Sequence, residues 1–86
     1  MSHPPIVSLV ILYHRGMLRY VGRHALAEDL DRLLALAQRE LSDDGRWVRL
    51  VYGGNDEIMV RLTDERLDEL LAAADAASMR VMTGAA

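Results

Sequence analysis

Hydrophobic and polar positions divide the chain into segments with two periodicities. Residues 6–13 are apolar at nearly every position, which is typical of a central strand covered on both sides. Residues 17–23 alternate between two faces, as a strand does, and Arg15 with Gly16 supplies a two-residue turn between the two segments. The pattern therefore predicts an N-terminal β-hairpin in which His14 pairs with Met17.

This pairing decides which side chains of the hairpin face the core. It places Leu18 and Tyr20 on the core side, and it leaves Arg19 and Arg23 facing water. On the first strand, the residues predicted to face the core are Val7, Leu9, Ile11 and Tyr13. The hairpin is therefore predicted to present arginines, rather than apolar side chains, to solvent.

The rest of the chain predicts two helices, a second hairpin and a short last strand. Residues 25–41 carry leucines at helical spacing, with acids near the start. Residues 47–52 and 58–62 predict two strands whose connecting loop has an odd length, because this sets their alternate apolar residues on one face. Thr63 is the predicted N-cap of the second helix. Residues 79–82 are short and apolar, and we expect a closing strand there.

The order of these elements predicts one α+β domain over residues 1–86, with residues 1–5 as a loose lead-in. The order ββαββαβ is that of the ubiquitin-like β-grasp, a mixed sheet with helices on one face. If residues 6–23 instead form one strand and an irregular loop, the order becomes βαββαβ, which is that of ferredoxin-like domains. The turn at Arg15 and Gly16, and the alternation after it, favour the β-grasp.

Residues 46–74 resemble the Phox-Bem interaction domains, a ubiquitin-like family that pairs scaffold proteins and kinases. The resemblance is carried by residues 48–52, by the acidic hairpin end at 55–57 and by residues 60–67. In that family a strand–turn–strand–helix unit bearing an acidic motif docks on a basic patch of the next copy. The resemblance implies an adaptor or scaffold module that associates head to tail, with itself or with a different protein.

Charge is unevenly distributed along the chain. Residues 1–24 contain arginines and no acid, whereas residues 64–77 contain five acids and Arg66 as their one base. Ordinary solvated faces would also account for this polarity. The residues expected to bind a partner are Arg15, Arg19 and Arg23 on the basic side, Asp56, Glu57, Asp64, Glu65 and Asp68 on the acidic side, and Trp47 as an apolar contact.

The composition offers little for catalysis. The chain has no cysteine, and its ten basic residues are all arginine, so thiol nucleophiles, disulfides, thiolate metal sites and lysine Schiff bases are excluded. His14 and His24 lie at opposite ends of the predicted hairpin and cannot share a metal. Gly53 and Gly54 lead into a strand rather than a helix, unlike a phosphate-binding loop. The sequence predicts no enzyme, no cofactor and no metal site.

A protein is therefore the expected partner. The net charge of −3 argues against nucleic-acid binding, and residues 6–13 are too short to span a bilayer, so we expect no membrane contact and a cytoplasmic location. A small regulatory subunit or a toxin-neutralising partner would fit the same residues. The alternative from another class is single-stranded RNA binding on a ferredoxin-like sheet through Trp47, Arg49, Arg61 and Arg19, although the predicted face shows one aromatic residue where such platforms present two or more.

Overall fold

The computed structural model describes residues 5–39 and 43–83. In these parts, each of two β-hairpins is followed by a helix. The elements are β1 (Ile6–Arg15), β2 (Met17–Leu26), α1 (Ala27–Gln38), β3 (Arg46–Tyr52), β4 (Asp56–Leu62) and α2 (Asp64–Met82). The strands form one antiparallel sheet in the order β2-β1-β3-β4, and both helices pack on the same face of it. The protein therefore has an α+β fold with two layers.

The predicted last strand is wrong. Residues 79–82 form the end of α2, because the alanine-rich stretch before them favours a helix and buries Ala74 and Ala77 at helical spacing. Among the described residues the sheet has four strands, and β1 pairs directly with β3 in antiparallel orientation, so the sheet is not mixed. The predicted order ββαββαβ is not confirmed. The observed strand order also differs from that of the ferredoxin-like alternative.

The first hairpin forms as predicted, but in a different register. Arg15 pairs with Met17, and Gly16, whose φ is 80°, is the single residue between the strands. The predicted pairing of His14 with Met17 is wrong by one residue. Glycine adopts a positive φ without steric cost, so the chain reverses here without a second turn residue. A shift of one residue exchanges the two faces of β2.

The faces of β2 are therefore the reverse of those predicted. Arg19 and Arg23 lie on the helix side of the sheet, and Leu18 and Tyr20 lie on the opposite side. The prediction for β1 is confirmed, because its predicted core residues are buried or partly buried: Val7, Leu9, Ile11 and Tyr13. The face of β2 that was expected to present arginines to solvent is instead apolar.

One hydrophobic core lies between the sheet and the two helices. The second hairpin has the predicted faces, because the loop at residues 53–55 is odd in length. Its most buried residues are Val48, Leu50, Val60 and Leu62. Helix α1 begins at Ala27, later than predicted, since Ala25 and Leu26 pair with β1 as the end of β2. The predicted end of this helix at residue 41, and the lead-in at residues 1–4, lie outside the described residues.

Thr63 caps the N-terminus of α2, as predicted. Its hydroxyl oxygen accepts a hydrogen bond from the backbone amide of Arg66 at 3.3 Å. We expect Thr63→Ala to lower the free energy of unfolding by about 1 kcal/mol, as measured by urea unfolding. Thr63→Ser keeps the acceptor oxygen and should stay within about 0.5 kcal/mol of the wild type. Equal losses in the two variants would contradict the capping role.

Candidate functional site

The structure brings together, within one molecule, charges that the sequence analysis assigned to the two sides of a docking pair. Arg15 Nη2 lies 3.0 Å from Asp68 Oδ1 and 4.0 Å from Asp64 Oδ1. Arg23 Nε lies 2.7 Å from Asp75 Oδ1. These acids line the side of α2 that faces β2. Two of the three predicted basic residues are therefore already paired inside the chain.

Arg46 extends this cluster at the start of α2, where its Nε donates a hydrogen bond to Asp64 Oδ1 at 2.9 Å. The hydrogen bond to Asp68 raises the pKa of the Arg15 guanidinium above its ordinary value, which by itself already keeps an arginine charged at physiological pH. Because these side chains are open to water and salt, such pairs add little to stability. Their main consequence is that the two sets of charges neutralise each other.

The other predicted partner-binding residues do not form one site. Arg19 is exposed on the helix side and makes no ion pair in the described parts of the chain. Asp56 and Glu65 are exposed at the starts of β4 and α2. Trp47 and Glu57 lie on the opposite side of the sheet. The structure thus separates the expected site into an internally paired cluster and a few isolated side chains.

The sheet surface opposite the helices is uncovered by the described residues and is rich in large apolar side chains; we call it the open face. The strand register arranges the open face in three rows that run from β2 to β4. The first row is Leu18, His14, Trp47 and Arg61; the middle row is Tyr20, Leu12, Arg49 and Met59; the last row is Gly22, Val10, Val51 and Glu57. Four large hydrophobic residues in these rows are strongly exposed: Leu18 (61%), Tyr20 (75%), Trp47 (57%) and Met59 (53%).

The charged groups of the open face have neighbours on the same face. The guanidinium carbon of Arg61 lies 5.3 Å from the centroid of the Trp47 ring, which is a cation–π contact. Arg49 Nε lies 3.7 Å from Glu57 Oε2. The Nε atom of Arg61 is buried beside the indole without a hydrogen bond in the described structure. Arg61 therefore lies along the apolar surface, whereas the side chain of Arg49 is half-exposed and reaches Glu57.

Apart from the open face, a cleft lies between the two helices and is lined mainly by apolar residues such as Leu33 and Ala77. Asp29 is buried at its edge, and its Oδ2 lies 3.1 Å from Arg80 Nε, an ion pair without hydrogen-bond geometry. Arg32 Nη1 lies 3.5 Å from Asp29 Oδ1. The charged groups of this cleft are thus already paired with one another. The pair of Asp29 with Arg80 links α1 to α2, whereas the pair of Asp29 with Arg32 lies within α1.

Sequence reasoning missed the most exposed part of the open face. Leu18 and Tyr20 were assigned to the core because the wrong register was chosen for β2. The available signal was Gly16, which permits a reversal with a single unpaired residue. Trp47 was predicted as an apolar contact and does lie exposed on this face.

Comparison of the chain with family models, with curated proteins and with solved structures found no match. The resemblance to the Phox-Bem domains stays a prediction from sequence. Within residues 5–39 and 43–83, no group of three or more histidine or acidic side chains is placed to hold a metal ion. None of the helices there is both long and apolar enough to cross a membrane. Fold and surface define a small α+β domain whose four-stranded antiparallel sheet has one face that the described residues leave uncovered.

Proposed function

We propose that this chain is a protein–protein interaction module that binds its partner through the open face. The observation that carries the proposal is that Leu18, Tyr20, Trp47 and Met59 are all exposed on one side of the sheet, in two adjacent rows around Leu12. Apolar residues scattered singly over a surface are ordinary, whereas a contiguous apolar patch marks an interaction site. The sheet holds the backbone of these residues in place, so only their side chains need to become ordered when a partner binds.

The residue types on the open face support the same proposal. Tryptophan, tyrosine and arginine dominate the binding energy of protein interfaces, and methionine is enriched there. Trp47 and Arg61 already contact each other, and Tyr20 and Arg49 share the middle row. In an interface of this kind the apolar centre supplies affinity, and the arginines beside it fix the orientation of the partner.

The head-to-tail association implied by the Phox-Bem resemblance would use a different surface. Arg15 and Arg23 bind Asp68 and Asp75 in their own chain, so an acidic partner would have to replace these contacts. Arg19 is the remaining predicted base. We therefore keep head-to-tail docking, and the ubiquitin-like β-grasp relationship with it, as a proposal with less support than the open face.

Single-stranded RNA binding is the second candidate function, and one observation favours it. Tyr20 joins Trp47 on the same face, so two exposed aromatic residues accompany Arg49 and Arg61. Two aromatics with nearby arginines are the minimum of a base-stacking platform. The apolar residues between the two aromatic residues favour a protein partner. A nucleic-acid-binding groove would carry many more cations, placed along the path of the phosphates.

The proposed function is tested by crosslinking from the open face in the cells that produce the protein. A photoreactive phenylalanine derivative replaces Tyr20 in the full chain, and the control carries the same replacement at Ala72, which is exposed on α2. We expect a defined protein adduct from position 20 that is absent from position 72. An RNA adduct from position 20 would favour the second candidate. The absence of any adduct specific to position 20 would overturn the proposal.

A further inference from the structure

We propose that the partner on the open face is a second copy of this chain, packed sheet to sheet about a two-fold axis that runs across the strands. This inference rests on the proposed function and names its partner. Such an axis lays each strand over the same strand of the second copy and reverses the order of the rows. The first row of one copy then faces the last row of the other, and each middle row faces its own equivalent.

Charge on β4 supports this arrangement. Along the open face, β4 presents Glu57, then Met59, then Arg61, so an acid and a base stand at opposite ends of an apolar residue. Reversing the rows sets Arg61 over the partner's Glu57, and symmetry makes this contact twice. A two-fold axis parallel to the strands would instead set Arg61 over the partner's Leu18. The face is therefore self-complementary in charge about the crossing axis only.

Side-chain size supports the same axis. The first row contains large residues, whereas the last row contains glycine, two valines and a glutamate. Reversing the rows seats Leu18 over the partner's Gly22 and Trp47 over the partner's Val51. Among the described residues, no heavy atom lies within 4 Å of the position that a Cβ on Gly22 would occupy, so there is room for a leucine. Two sheets that interdigitate in this way form the core of a β-sandwich.

The size of the open face is sufficient for a reversible dimer. Four strands about 4.8 Å apart, each with about seven residues of about 3.4 Å, give a flat footprint of roughly 450 Å² per copy. Protruding side chains increase the accessible area, so we expect a total burial of about 1,000–1,500 Å², near the lower end of specific interfaces. An area of this size fits copies that associate and separate rather than an obligate dimer.

The arrangement has one electrostatic cost. The middle row brings Arg49 near the partner's Arg49 at the axis. Each of these guanidiniums has Glu57 of its own chain 3.7 Å away, and the same carboxylate receives the partner's Arg61. Each Arg49 thus keeps a carboxylate beside it in the dimer, which partly offsets its charge and reduces the repulsion between the two Arg49 side chains. Glu57 is accordingly the residue on which the dimer depends most.

The test measures the mass of the purified chain by sedimentation equilibrium from about 1 to about 300 µM, a range that covers reversible dimers of this size. We expect Arg61→Glu and Glu57→Arg each to raise the dimer Kd about tenfold or more, because each places like charges opposite one another. An equimolar mixture of the two variants should regain association, since the introduced acid then meets the introduced base. Circular dichroism establishes that each variant is folded.

Arg19→Glu is the matched control, because it makes the same charge change on the helix side of β2. Face-to-face packing predicts no effect of this variant, whereas head-to-tail docking predicts a loss. A strict monomer with a second protein crosslinked from position 20 would overturn the dimer and leave the proposed function standing. A dimer that the charge variants leave unchanged, or that their mixture fails to restore, would overturn the crossing two-fold axis.

Discussion

Leu67→Ala is expected to lower the free energy of unfolding by about 2–5 kcal/mol. Leu67 is fully buried near the start of α2, where this helix meets the sheet. The same core cluster contains Leu50 and Leu70, which are themselves fully buried. For a chain of this length the whole stability is about 4–13 kcal/mol, so this single cavity removes a large part of it.

Urea unfolding followed by circular dichroism measures this loss. Leu71→Ala is the matched control, because Leu71 lies on the same helix but is only partly buried. We expect its loss to be about 1–2 kcal/mol, since less apolar area is removed from the core. Similar losses in the two variants would mean that α2 does not pack on the sheet through Leu67.

Gly45→Ala is expected to destabilise the protein by about 1–3 kcal/mol. A Cβ at this position would lie 2.7 Å from the backbone nitrogen and carbonyl carbon of Leu62. Backbone atoms held in a strand cannot rotate away as a side chain can, so either the start of β3 or the end of β4 must shift. Gly45 therefore sets how closely the chain enters β3 beside β4.

Gly22→Ala is the control for this prediction. Gly22 also lies in the sheet region, but its added Cβ would meet no described heavy atom within 4 Å. We expect a change within about 0.5 kcal/mol, measured at a protein concentration where the chain is monomeric. If both alanine variants unfold at the same denaturant concentration, the close approach of Gly45 to β4 does not hold in solution.

The second hairpin and the start of α2 could be predicted because local chemistry determines them. Alternation on β3 and β4 fixes which residues face inward once the loop has an odd length. Thr63, followed by acids, marks the helix start independently of tertiary contacts. Residues 79–82 were mistaken for a strand because a four-residue apolar segment fits either structure. They are helical because α2 continues into them from the residues before.

The register of the first hairpin could not be read from the alternation of apolar and polar residues. β1 is largely apolar on both faces, so its pattern does not indicate which face of β2 points to the core. In the observed register Arg23 faces α2, and the acidic partners of Arg15 and Arg23, which are Asp68 and Asp75, lie more than fifty positions away in the chain. Because the basic and acidic residues are this far apart in the chain, the sequence alone suggested that they bind different molecules rather than each other.

The one-residue turn at Gly16 makes the two faces of β2 sensitive to an insertion mutation. Because one residue separates β1 from β2, a single inserted codon at this point would turn every side chain of β2 to the other side. Tyr20 would then enter the interior and Arg19 would reach the solvent. An insertion in this one turn would thus replace the apolar side chains that β2 presents on the open face with polar ones, and it would break the ion pair between Arg23 of β2 and Asp75 of α2.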